Sequence, residues 1–257
     1  MKNLDAKTLS YINLFAIFGA IPKLCELDES ARALIADKKI AMGVSVKDGP
    51  CGVLCFDRGV VTLRVGESAC DIKLAFSTPE KFNGMIDGTV TPIPSKGLLK
   101  VGFLLKTFVP LTDILSRYLR PTEEDLKDEN FYRISTILLF HVITGAVAQI
   151  GNHDRIGRAS ASYIVDGNVR MVITEGDETV AAAYIQAKDS VLTTVPTDTD
   201  APMSVMQFDG IRNARGLFDG VVSSFALICD GKLKMQGMVS QLDNVNRILD
   251  RVALYLA

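Results

Sequence analysis

Hydrophobic and polar positions change their period along this chain in an order that occurs twice. Residues 4–36 follow helical spacing, and Asp28 ahead of the run ESARALIA offers a cap for a stretch of good helix formers. From Ile40 the period falls to two. Alternating runs at 41–47, 52–57 and 60–65, parted by the turn pairs Asp48-Gly49 and Arg58-Gly59, predict an antiparallel meander. A further strand is predicted at 71–76, after which Ser77, Thr78 and Pro79 supply a cap and a first-turn proline for a short helix to Met85. Beyond a loop over 86–94, a last strand at 98–103 and a helix at 109–119 are expected. The second half follows the same order: helix 132–150, strands near 160–165, 169–174, 179–187 and 203–208, a short helix 210–217, a strand 232–236 and a final helix 242–256. Strands and helices mixed without βαβ regularity make the class α+β.

The two halves also match residue by residue. The run LLKVGFLLKTFVPLTDILSRYL, ending at Leu119, pairs without gaps with KLKMQGMVSQLDNVNRILDRVA, ending at Ala253. This register sets Leu99 on Leu233, Lys100 on Lys234, Phe108 on Leu242, Ile114 on Ile248 and Arg117 on Arg251. Upstream, IDGTV (86–90) matches FDGVV (218–222), and VKDG ending at Gly49 resembles IVDG ending at Gly167. A period this long exceeds that of solenoids and propellers, so it points to duplication of a whole domain; the alternative is that two strand-helix segments look alike by chance. The expected organisation is a module over 1–120, a linker over 121–130 that is rich in acids, and a second module over 131–257.

Composition narrows the functional classes. Hydrophobic residues make up 48% of the chain and charged ones 23%, enough for full cores. The 28 basic and 30 acidic residues are spread along the chain, so no basic face advertises nucleic acid or anionic lipid, and electrostatic targeting to neither is expected. Cys25, Cys51, Cys55, Cys70 and Cys229 form no CxxC pair and read as free thiols, and no signal-peptide pattern follows Met1, so a cytoplasmic location is expected. The two histidines, His141 and His153, do not complete a zinc site with Cys51 and Cys55. With no nucleophile elbow, Walker loop, dinucleotide fingerprint or metal triad, neither catalysis nor a cofactor is expected. Residues 134–150 carry no acid, lysine or arginine and approach the length of a spanning helix. The repeat sets them opposite 14–24, which hold Pro22 and Lys23 and are too short to span, so a buried or interface helix is the reading for both.

The segment FDGVVSSFALICDGKLKMQGM (218–238) resembles the sterol carrier protein family. The matching positions are Gly220, the apolar pair Phe225 and Ala226, then Gly231, Lys232, Leu233, Lys234, Met235 and Gly237. Met238 stands where the family usually has an acid. In the first half Gly88, Gly97, Leu99, Lys100 and Val101 fit, while Pro92, Ile93 and Pro94 replace the apolar pair. The resemblance implies two similar modules, each a roughly five-stranded mixed sheet with helices covering one face and an apolar tunnel for fatty acid, acyl-CoA or sterol-like lipid.

On that basis the expected activity is non-enzymatic binding or carriage of a hydrophobic ligand. In the second half Met235, Met238, Leu242, Val245 and Leu249 are the candidate lining, methionine suiting irregular apolar ligands; ordinary core packing is the competing reading for each. Val101, Leu104, Phe108, Leu111 and Leu115 are their first-half counterparts. The better motif makes the second half the first place to look. The alternative is a dimerising interaction or regulatory protein whose tunnels are filled, Phe108 and the Pro92 to Pro94 loop suiting a collapsed first-half pocket. A lipid-like molecule is the expected partner and nucleic acid is not; transient membrane contact and a homo-oligomer are both compatible with the apolar helices.

Overall fold

A computed structural model describes residues 4–195 and 201–256. The chain divides into two units, one ending at Asp128 and the other starting at Glu129. The first opens on a helical run of α1 (Ala6–Ile12), a π-helical turn (Asn13–Ile17), a 3-10 turn (Phe18–Ala20) and α2 (Ile21–Leu27). Asp28 ends it: its extended backbone stops α2, and its carboxylate accepts from the Ala31 N–H at 2.7 Å to cap α3 (Glu29–Ile35). The meander of β1 (Lys39–Val46), β2 (Cys51–Asp57) and β3 (Val60–Val65) follows, and β4 (Ile72–Phe76) joins β1 in parallel, giving the order β3-β2-β1-β4. Next come α4 (Pro79–Ile86), a loop, and a second helical run: a 3-10 turn (Leu98–Lys100), α5 (Val101–Phe103), a π-helical turn (Leu104–Phe108) and α6 (Val109–Leu119).

The second unit contains α7 (Glu129–His153), α8 (Arg155–Ala161), β5 (Gly167–Glu175), β6 (Glu178–Lys188), β7 (Val191–Val195), β8 (Ser204–Asp209), α9 (Ile211–Phe218), α10 (Ser224–Cys229), β9 (Leu233–Gly237) and α11 (Val239–Tyr255). Its sheet order is β7-β6-β5-β8-β9, again with one parallel pair, β5 with β8. Two helical runs, Ala6–Leu27 and Glu129–His153, are long and apolar enough to cross a membrane, but 61% and 83% of their most apolar windows are buried inside the fold. In α7 this follows from packing on several sides at once, against β6, β7, α8, α9 and α11, which leaves little room for a polar face.

Both units build the same helix exit at matching positions. After α4, Gly88 (φ 71°) donates to Met85 O and Thr89 to Gly84 O; after α9, Gly220 (φ 70°) donates to Leu217 O and Val221 to Gly216 O. This paired closure needs a left-handed residue, which glycine adopts without steric cost. A buried polar side chain then ties each helix to the opening helix of its unit. Asn83 accepts from Asn13 at 3.0 Å and donates to Ala6 O, and Arg215, 132 positions on, bonds Ser135 at 2.8 Å and Asp219 at 2.7 Å.

Three expectations are corrected. Residues 98–103 are helical, not a strand, so the first sheet has four strands and its fifth-strand position shrinks to one bridge, Lys73 with Lys96. Val101 here stands at helical spacing in line with the inward stripe of Leu104, Phe108, Leu111 and Leu115, with Leu98, Leu99 and Lys100 exposed, whereas the matched KLKMQGM alternates strictly. Residues 160–165 end α8 and its turn, because Asp154 caps that helix through the Ile156 and Gly157 N–H groups at 2.9 Å; the third meander strand is β7. Finally, Gly49 lies in the β1–β2 turn and Gly167 opens β5, so these two glycines are not equivalent.

Candidate functional site

A cavity of about 430 Å³ lies in the first unit. Its volume falls in the roughly 300–1,000 Å³ range of small-molecule sites. Four segments wall it: Ile17 and Phe18 from the first helical run, Leu74 from β4, Met85 to Pro92 around the exit of α4, and Leu104 to Arg120 along the second run. Phe18, Leu74, Ile86, Val90, Leu104 and Phe108 supply apolar lining, and the polar residues Asp113, Ser116 and Arg120 of the lining are exposed. Thr112 turns its hydroxyl back onto Val109 O at 2.8 Å, so it presents its methyl side without an unsatisfied donor.

The two π-helical turns meet at this cavity. Each inserts one extra residue into a helical turn, which re-aims the side chains that follow. Phe18 directly follows the first turn and Phe108 ends the second; their rings stand edge to face 5.4 Å apart. Phe82 packs on the other side of Phe18 at 6.2 Å. Pro110 has no N–H to give and sits at the start of α6, where the π-helical turn has already interrupted the regular bonding. The far end of α6 is pinned by Tyr118, whose hydroxyl donates to Asp28 at 2.8 Å; burial, and then this bond, push the phenol above its ordinary pKa.

At the matching place in the second unit the last residue of the short helix is Phe218 instead of Ile86. Its ring packs 6.3 Å from Phe140 and 5.6 Å from Phe208.

The structure brings together Leu104, Phe108 and Leu115 of the sequence candidates as cavity lining. Leu111 is fully buried beneath them and Val101 is half-buried outside. Met235 on β9, Met238 after it, and Leu242, Val245 and Leu249 on α11 belong to the other unit and do not line this cavity; Leu242 and Val245 are core, while Met238 is exposed. Phe108 and Pro92, which suited a collapsed pocket, border an open one. Sequence reasoning missed Ile17, Phe18, Leu74 and Met85, which stand on elements far apart in the chain. It missed Ile86 and Val90 although both sit in the repeated IDGTV landmark.

Other chemistry is sparse. Among the described residues no three His, Cys, Asp or Glu side chains are grouped to hold a metal ion. Burial, then the nearby Asp28 carboxylate, push the Cys25 thiol up to about 12, which keeps it protonated and inert. A second, open concavity of about 710 Å³ in the second unit is bordered by Asn152, His153, Arg155, Arg158, Ser162 and Asp189.

No protein-family model matches the chain, and no curated protein matches it in sequence. Solved structures similar to it include sterol carrier protein domains. Sterol carrier protein domain 2 of Helicoverpa armigera matches at 14% identity over 46% of this chain and 88% of that one, with a TM-score of 0.36. Sterol carrier protein 2 of Yarrowia lipolytica, in its apo form, matches at 14% identity over 40% of this chain and 91% of that one, TM-score 0.31. Sterol carrier protein-2 of Aedes aegypti, solved with the C16 fatty acid palmitate, matches at 15% identity over 42% and 94%, TM-score 0.29.

Proposed function

We propose that this protein is a non-enzymatic carrier or binder of a hydrophobic, chain-like ligand, held in the first of two sterol-carrier-like modules. The observation that carries this reading is the 430 Å³ apolar cavity, lined by Phe18, Leu74, Ile86, Leu104 and Phe108, with the polar lining residues Asp113, Ser116 and Arg120 exposed. Such a site rewards burial of an aliphatic body at roughly 25 cal/mol per Å² and leaves a polar head at the rim. Arg120 borders the cavity and makes no ion pair among the described residues, so a carboxylate or phosphate head is the favoured chemistry. In the second module Phe218 stands at the position matching Ile86 and packs on Phe140 and Phe208, which supports reading that half as a filled, structural or interaction copy.

Gentle purification followed by lipid extraction and mass spectrometry, with displacement of a fluorescent fatty acid, tests this. A co-purifying amphiphile and saturable displacement are expected. Ile86→Phe, which copies the second module into the first, is expected to weaken displacement about tenfold, equivalent to about 1.4 kcal/mol, while the fold is retained. Absence of both bound lipid and displacement, or full displacement in Ile86→Phe, would overturn it. If instead the chain is a concentration-dependent dimer that binds no fatty acid, the interaction-protein reading takes over.

A further inference from the structure

The helical run over the cavity is apolar on both sides. Leu104, Phe108, Leu111 and Leu115 turn inward, while Leu98, Leu99, Leu105 and Val109 turn out. Leu99 is 103% exposed and Leu105 65%, and Ile93 in the preceding loop is 79% exposed. Gly102 stands on open space, with nothing near the position of a Cβ. Soluble proteins expose single leucines routinely, but not a clustered set on one short segment.

The segment that carries this face has charge of one sign in its own sequence. From Gly88 to Thr112 the chain holds no Asp or Glu and three lysines, Lys96, Lys100 and Lys106, although the whole protein has a net charge of -2. Asp71 pairs with Lys100, Lys96 donates to the Cys70 carbonyl, and Lys106 makes no ion pair among the described residues. A second copy of this chain would bring lysines against lysines in a two-fold contact. An anionic lipid surface meets both the leucines and the lysines. The run also touches the ligand site directly, since Val109 is both exposed and part of the cavity wall. At the corresponding positions of the second unit Phe225 and Val239 are likewise exposed, but there Asp230 interrupts the basic run.

We propose that residues 93–109 form a membrane-docking lid, which lays Ile93, Leu98, Leu99 and Leu105 on an anionic lipid surface so that the amphiphile passes between bilayer and cavity beside Val109. This rests on the lipid-binding reading above.

The full chain should be floated with vesicles of phosphatidylcholine alone and of equal parts phosphatidylcholine and phosphatidylserine. Binding is expected to the mixed vesicles, to weaken with added salt, and to fall roughly tenfold for each of Leu99→Ser and Leu105→Ser. Lys106→Glu is expected to lower binding to mixed vesicles several-fold and leave the neutral-vesicle signal unchanged. Neither Leu99 nor Leu105 lines the cavity, so displacement of the fluorescent fatty acid in detergent-free solution should be unaltered in both variants, which separates docking from ligand binding. Wild-type chain that displaces the fatty acid but ignores mixed vesicles, or leucine variants that float as well as wild type, would sink the lid and leave the carrier reading intact. Vesicle binding that responds to the leucines in a chain without fatty-acid binding would leave the docking surface standing alone.

Discussion

Asp154 shows how much one buried carboxylate decides in the second unit. It caps α8, accepts from Arg251 at 2.7 Å and from the Tyr255 hydroxyl at 2.9 Å, and so ties the first turn of that helix to the end of α11. Burial by itself would raise its pKa; the Arg251 bond, the Gly157 N–H and Tyr255 together outweigh this and hold it below the ordinary carboxylate value. A lowered folded pKa stabilises the fold above the unfolded value of about 4, and the contribution is lost as pH falls through the folded pKa. Asp154→Asn is expected to cost about 2–4 kcal/mol near neutrality, and urea titrations should show the gap to wild type narrowing below about pH 4. In the first unit the linkage runs the other way. The raised phenol of Tyr118 stabilises below about pH 10 and is lost as the pH climbs towards its folded value, so Tyr118→Phe should flatten the alkaline limb of the stability profile.

At the level of elements, the departure that matters is the conversion of the fifth strand into helix. The matched segments 98–119 and 232–253 share leucines and lysines, and residue matching alone predicts the same structure for both. They differ in where the apolar residues fall: KLKMQG alternates, while LLKVGFLLKTF places them at three- and four-residue steps that continue into α6. Leu99, Val101 and Phe103 also alternate, so the local pattern by itself predicts a strand there, and the helical steps show only when the run is followed into α6. Gly102 offers a direct check. In an exposed helix with free space around it, Gly102→Ala is expected to stabilise by about 0.5–1 kcal/mol, seen as a higher urea midpoint. A loss of stability would speak against the helix. The misplaced strand at 160–165 has a different origin: alternation in SASYIV imitates a strand, and the long-range partners of Asp154 decide for helix.

For the whole molecule, two units that share the order of their first four strands and the same helix exit differ in the residue that ends the short helix. One has Ile86 and a cavity, the other Phe218 between Phe140 and Phe208. The expected stoichiometry is therefore one ligand per chain, counted by native mass spectrometry; two ligands per chain would mean that the second module also opens.

The sequence by itself determined the class, most of the order of elements and the capped breaks at Asp28 and Thr78, because periodicity and capping are local properties of the chain. It could not show which elements converge on the cavity of the first unit. Ile17, Phe18, Leu74 and Met85 join Leu104 and Phe108 there from segments far apart in sequence, so only the tertiary structure brings these side chains together.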